Sequence, residues 1–298
     1  MEQTRPEDPT RPEIVRRRVK IDFDSAPAEA WSTWGPQFEN TLTAISFLLP
    51  VGERFFIKSL RHYLPKLTDP KLREQAQQFI FQEVMHTREH ERSNAVLTKV
   101  HPYGPWIERM ADITLTIHSY TSFKASQLAT TCAMEHFTAI IANDLLRHQE
   151  AFRATSDPAF STLWLWHAVE ETEHKAVCFD VYEQVCGKGF FAYLHRVVIM
   201  GMVTLMLVAA MVIGFRVVGR RTRDKDGKPV PARPKLSALA RSVPGRLYFD
   251  YFRRSFHPWD HDNMALVDEW KRHYADLGIP KNAPVFTDAG LPATAAVG

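Results

Sequence analysis

Six residues of metal-ligating type recur in a fixed order along four apolar, helix-patterned segments: Glu53, then Glu83 and His86, then Glu135, then Glu171 and His174. This order constrains the fold more than any other feature. Charged side chains on apolar segments are tolerated only where a partner compensates their desolvation, so four helices must converge on one place. Residues three apart on a helix share a face, one turn apart. Glu83 with His86 and Glu171 with His174 can therefore each offer an oxygen and a nitrogen to one ion. Glu53 and Glu135 then cap or bridge the ions, and four carboxylates balance two divalent cations. Without metal the same carboxylates repel and desolvation raises their pKa values. The expected fold is all-α, a four-helix bundle with its ligands turned inward.

A plainer alternative makes Glu83, His86, Glu171 and His174 members of surface ion pairs, which are nearly neutral energetically. Against it, Phe79-Ile80-Phe81 and Leu163-Trp164-Leu165-Trp166 surround the pairs with large apolar groups. The chain holds 13 histidines but only these two Glu-x-x-His motifs, one on each of the second and fourth ligand helices. His90 and His167 lie seven residues from Glu83 and His174 and are expected as hydrogen-bond partners that orient ligands, with ligation the alternative. Glu170 is an alternative ligand. His136 should point away from the site, because neighbours on a helix diverge by ~100°. His257, Asp260, His261 and Asp262 read as a turn with Asp262 as helix cap rather than as another metal site. Carboxylates with neutral imidazoles suit iron, with manganese or zinc possible.

The chain divides into a flexible basic segment (1–25), the di-metal bundle (26–190), an apolar helix (191–220), and a polar linker with short helices and a disordered tail (221–298). Within the bundle, Pro50 and Gly52 interrupt the first ligand segment, so Glu53 is expected at a kink or at the start of a second helical piece. Helices are expected to about Val100 after Asp69-Pro70, over Trp106 to Ser122 as a crossover, from Lys124 to Phe152, and from Pro158 to Cys186 with Asp157 or Ser156 as cap. Two shorter helices follow, at about Leu236 to Phe256 and Asn263 to Leu277.

Val197 to Phe215 contains no charged residue and is bounded by Arg196 and Arg216. Its length as a helix, ~28 Å, approaches the ~30 Å hydrocarbon core of a bilayer. Arg216, Arg220, Arg221, Arg223, Lys225 and Lys228 follow, which places that end in the cytoplasm. The three cysteines, Cys132, Cys178 and Cys186, form no Cys-x-x-Cys pair and read as reduced thiols, and no secretory run precedes the bundle. A single span would then put the metal domain on the wrong side. A shallow hairpin, an interfacial helix or a fifth buried helix resolves this, and membrane association with a cytoplasmic metal domain is the expectation. The net charge of +3, without a basic face, argues against nucleic acid as a partner. A homodimer is possible.

At Phe79 to His86, at Met134-Glu135-His136-Phe137-Thr138, and at Trp166 to His174, the chain resembles a bacterial family described as predicted metal-dependent hydrolases. Phe256-His257-Pro258-Trp259 fits the same resemblance, which covers about Arg17 to Leu277. The ligand arrangement itself resembles ferritin-like di-iron oxidases and oxygenases, from which Pro50 and Gly52 are a departure. The resemblances imply a ferritin-like bundle and a metal-dependent enzyme. Three functions follow: oxygen-dependent oxidation of an apolar or lipid-derived substrate, two-metal hydrolysis of an ester or related bond, and non-catalytic metal storage.

Overall fold

The computed structural model describes residues 13–219 and 245–274. Among them the only regular structure besides helix is an isolated bridge between Ser32 and Ser156, so the all-α expectation holds. The ligand helices are α1 (Pro36–Arg61), α2 (Pro70–Leu97), α4 (Lys124–Arg147) and α6 (Pro158–His174). Helix α1 packs on α2, α4 on α6, α2 on α6 and α1 on α4, which closes a ring around one interior. The crossover α3 (Gly104–Thr121) and the apolar α8 (Phe190–Val218) lie together outside α1 and α4.

Pro50 does not divide the first helix. It lies inside a continuous α1. A proline at this position leaves the carbonyl of Ser46, four residues earlier, without its helical donor. Asn94 of α2 supplies one, donating from Nδ2 to that oxygen at 2.8 Å. The carbonyl that Pro50 leaves without a donor is thus satisfied from a neighbouring helix, which the sequence pattern of α1 alone could not reveal.

Two expected helices end early. The third ligand helix stops at Arg147, and α5 (Gln149–Thr155) continues after a break at His148. The fourth stops at its last ligand, His174, and α7 (Val177–Cys186) resumes after Lys175 and Ala176. Asp69 and Asp157 cap α2 and α6, accepting from the backbone N–H of Lys71 and Ala159. Helix α9 (Gly245–Asp250) ends before the expected Phe256, and α10 (Met264–Tyr274) begins next to the expected Asn263, its expected Leu277 end lying outside the described residues. Asp262 accepts from the N–H of Met264 at 3.1 Å, in the capping role read from the sequence. The polar linker, the Leu236 end of the expected helix and the final tail lie outside the described residues.

The basic N-terminal segment, from residue 13 onward, is no solvated arm. Ile14, Ile21 and Phe23 are buried, and Arg17 is 5% exposed. Apolar side chains gather into two clusters. One contains Phe56, Phe79, Leu128 and Val181, and the other Phe47, Leu97, Leu145, Phe160 and Trp164. Full burial of each such side chain contributes roughly 1.5–3 kcal/mol. The inward carboxylates and imidazoles are carried by the same helices that supply both clusters.

Candidate metal centre

All six expected ligands are at most 2% exposed. Their placement follows from helix geometry: each Glu-x-x-His pair spans one turn of a helix whose inner face is otherwise large and apolar. Around His174 Nε2 converge Glu83 Oε1 at 3.3 Å, Glu135 Oε2 at 3.4 Å and Glu171 Oε1 at 3.5 Å. His86 Nδ1 lies 3.8 Å from both Glu83 Oε1 and Glu171 Oε1. Ligand atoms within 4.8 Å of one another fall into two groups: Glu83, Glu135, Glu171 and His174, and Glu53, His86 and His167. Glu83 Oε1 and Glu171 Oε1 each approach both His86 and His174, whereas Glu53 and Glu135 fall in separate groups.

The residues fit a metal by a direct test. Both oxygens of Glu53, Glu83 and Glu135, together with His86 Nδ1 and His174 Nε2, are buried and make no hydrogen bond to the described protein. A buried acceptor left unpaired costs ~1–3 kcal/mol, more if charged. Eight such atoms in one interior point to a missing cation.

Neighbouring groups fix which imidazole nitrogen faces the centre. His86 Nε2 donates to Glu170 Oε2 at 3.0 Å, and His174 Nδ1 donates to Gln82 Oε1 at 2.8 Å. Each bond leaves the opposite ring nitrogen with a lone pair for a metal. Glu170 is thus a support for His86 rather than a replacement for Glu171. Arg17 anchors that support, bonding Glu173 through both guanidinium nitrogens at 2.7 Å and Glu170 at 3.3 Å. Arg17, Glu173 and Gln82 were not singled out by sequence. The signal available was the run Glu170-Glu171-Thr172-Glu173 on an apolar helix, which demands a countercharge.

A longer relay begins at Pro50. Because Asn94 Nδ2 serves the Ser46 carbonyl, its Oδ1 accepts from Ser46 Oγ at 2.6 Å. Ser46 Oγ must then accept from His90 Nδ1 at 2.9 Å, so His90 Nε2 accepts from His167 Nδ1 at 2.8 Å. His167 Nε2 then faces Glu171 Oε1 at 3.0 Å, so a proton on that nitrogen completes the relay onto the carboxylate. His90 and His167 thus have the geometry of orienting partners, and His167 also falls in the group with Glu53 and His86. His136 points elsewhere, donating from Nε2 to the Leu247 carbonyl at 3.0 Å. His257 bonds Asp180 at 2.9 Å and caps a turn with Asp260, in line with the non-metal reading of that cluster.

Electrostatics without metal bear the marks of crowding. Burial, then repulsion from the neighbouring carboxylates, raises Glu83 well above its ordinary range, and burial does the same to Glu53. Glu135 is pushed up to about 7 by burial and by Glu171. Burial also raises Glu171, but His174 and His167 outweigh it and hold this carboxylate well below its usual range. His174 rises to about 10 because Glu171 and Glu135 overcome its burial. Burial keeps His86 and His90 neutral by pushing both well below 6.5.

Beside this centre a cavity is lined by Cys132, His136, Asn143, Lys175 and Tyr251. Cys132 and Ala139, also in the lining, sit one turn either side of Glu135 on α4. Lys175 donates to Asn263 Oδ1 at 2.8 Å and lies 4.1 Å above the Trp259 ring. Burial pulls its pKa down to about 7.

A family model described as predicted metal-dependent hydrolase matches residues 15–262. The chain belongs to that family. The matched span runs from the segment bearing Arg17 through all six expected ligands to the His257–Asp262 turn, so the family description and the buried ligand groups concern the same part of this metal-dependent hydrolase family member. No curated protein and no solved structure matches the chain.

Proposed function

We propose that the chain is a two-metal carboxylate enzyme that oxidises an apolar or lipid-derived substrate with dioxygen. Glu53, Glu83, His86, Glu135, Glu171 and His174 would be its ligands and iron its metal, manganese or zinc being alternatives. The observation that carries this reading is the set of eight buried, unpaired ligand atoms shared among five of those residues. Four carboxylates with inward imidazoles on four helices are the donor set of di-iron and di-manganese bundles. Two ferrous ions held there would supply two of the four electrons that reduce dioxygen to water, the substrate the other two, and an external one-electron reductant would restore the ions.

The chain's own residues do the rest. Glu83 and Glu171 each approach both histidine ligands, and Thr138 donates to Glu171 Oε2. Glu170 and Gln82 hold His86 and His174 in ligating orientation. Phe79 lies edge-on to His174 at 4.6 Å and Trp166 to His86 at 4.9 Å, so apolar rings keep bulk water from the ligands. The cavity between α4 and the Tyr251 region is the proposed seat for part of the substrate.

Helix α8 is long and apolar enough to cross a membrane by length and composition. We place the enzyme at a membrane with its metal domain cytoplasmic, supported by three unpaired thiols and the basic residues after α8. The family description favours a second reading, two-metal hydrolysis of an ester or related bond, which uses the same ligands with a metal-bound water.

Metal analysis of protein purified anaerobically and reduced should find two ions per chain, lost in Glu83→Ala and His174→Ala. Unchanged metal in both variants would defeat the ligand assignment. Turnover that survives removal of oxygen, or proceeds with zinc, favours hydrolysis. Metal uptake without turnover of any apolar substrate favours storage.

A further inference from the structure

Among the described residues, every exposed large apolar side chain except Trp34 and Phe249 lies on α3, on α8 or within two residues of the ends of α3. On α3 they are Trp106, Met110, Ile113, Ile117 and Tyr120, the last 81% exposed. Their spacing of four and three residues makes one continuous stripe, and it faces outward rather than into the bundle. On α8, Phe191, Leu194, Val198, Met202 and Leu205 repeat the same spacing on an equally exposed face. A buried core explains neither stripe.

The two stripes are neighbours. Ser126, just after α3, bonds His195 near the start of α8 at 3.0 Å. At the other end His101, just before α3, donates to the backbone carbonyl of Val218, the last residue of α8. The helices therefore run antiparallel, side by side. Contiguous apolar exposure on this scale marks a contact surface.

Charge identifies the partner. Helix α8 carries no acid, and the exposed charged residues of the two helices are Arg109 and Arg216. Lys124 and Lys188 stand exposed just beyond the helix ends. The acids of α3, Glu108 and Asp112, are only partly exposed, and Glu108 pairs with Arg54 at 3.2 Å. Arg220, Arg221, Arg223, Lys225 and Lys228 follow α8 in sequence. An apolar face whose fully exposed charges are cations, with Tyr120 and Phe123 at one end, suits a bilayer with anionic headgroups.

The packing of α8 sets its orientation. Arg196 near one end is buried and donates to the carbonyls of Tyr251 and Arg253. Gly214 near the other end lies against Ala44 of α1, closely enough that a Cβ would meet it at 3.1 Å. Docked at both ends, α8 cannot cross a bilayer without carrying the charged outer faces of the bundle, such as the exposed Arg54–Glu91 pair, into hydrocarbon. Lying in the membrane plane, it immerses an uncharged stripe and leaves Arg216, near its end, to reach the headgroups.

We propose that α3 and α8 together form a monotopic docking surface, embedded in one leaflet of an anionic membrane and parallel to it. This deepens the membrane association proposed above and does not depend on the reaction. The full chain should float with mixed vesicles of phosphatidylcholine and phosphatidylglycerol, and more weakly with phosphatidylcholine alone. Ile113→Glu/Ile117→Glu on α3 and Met202→Glu/Leu205→Glu on α8 should each reduce flotation at least about tenfold. Bound metal should be unchanged, so loss of flotation with metal retained separates this surface from the ligand assignment.

An α3 variant that floats like the wild type while the α8 variant does not would overturn the proposal in favour of a single inserted helix. A wild type that does not float but forms a dimer, dissociated by either variant, would make the face a contact between copies. Wild-type protein gives a test independent of folding in the variants. Lipids brominated on their acyl chains should quench part of the tryptophan emission, and that part should vanish in Trp106→Phe. Floated protein whose Trp106 emission is unquenched would also overturn it.

Discussion

Loading the metal-stripped protein should expel protons, and their number follows from the charges the interior can hold. Without metal at pH 7, His174 is protonated at about 10 and Glu135 is near half-titrated at about 7, while burial raises Glu53 and Glu83 as well. Glu171 is already ionised. All of these must ligate in their deprotonated forms. Two divalent ions should therefore release more than one proton per chain, from His174 and Glu135 first, leaving four carboxylates balanced by four positive charges.

The overall apparent affinity should rise at least about tenfold per pH unit near neutrality, because each released proton contributes about 1.4 kcal/mol per unit. The sign is fixed by the direction of the shifts. Groups whose folded pKa is raised hold protons that metal must displace, so binding strengthens as pH rises. The slope falls as Glu135 passes about 7 and again as His174 passes about 10. Calorimetric titration with manganese in buffers of different ionisation enthalpy counts the protons directly. Glu83→Gln should not release more than the wild type. A release of one proton or less would refute the reasoning, since it would mean that the carboxylates are already ionised and held by something other than metal.

Replacing Arg17 by Met strands Glu173 and Glu170 in the interior and should cost roughly 3–5 kcal/mol of stability by chemical denaturation, with Arg17→Lys intermediate. Asn94→Leu removes the donor to the Ser46 carbonyl below Pro50 and should destabilise by about 1–3 kcal/mol. It should also free the His90–His167 relay, lowering affinity for the ion nearer Glu53 more than for the other in a two-site titration. Gly104→Ala places a Cβ 2.1 Å from the buried Phe47 ring and should lower stability by about 1–3 kcal/mol in thermal unfolding, with metal stoichiometry unchanged.

Local chemistry made part of this molecule legible from the chain alone. The three-residue spacing within Glu83–His86 and Glu171–His174 survives any packing, because it depends only on helix geometry. The Asp caps of α2 and α6 are equally local. An apolar run bounded by arginines announced α8, though not what it touches. Other features depend on contacts between residues far apart in sequence. Pro50 read as a break because the donor that repairs it, Asn94, belongs to another helix. The relay from Asn94 through Ser46 and His90 to His167 joins side chains of different helices, so the sequence could name His90 and His167 but not connect them. Arg17 read as part of a flexible basic segment because the carboxylates it neutralises lie more than a hundred and fifty positions away. Helix periodicity alone places the candidate metal-binding side chains on one face of each helix. That Glu83 and Glu171 each approach both His86 and His174, and that α8 shares its outward face with α3, followed from packing, because both depend on which helices become neighbours.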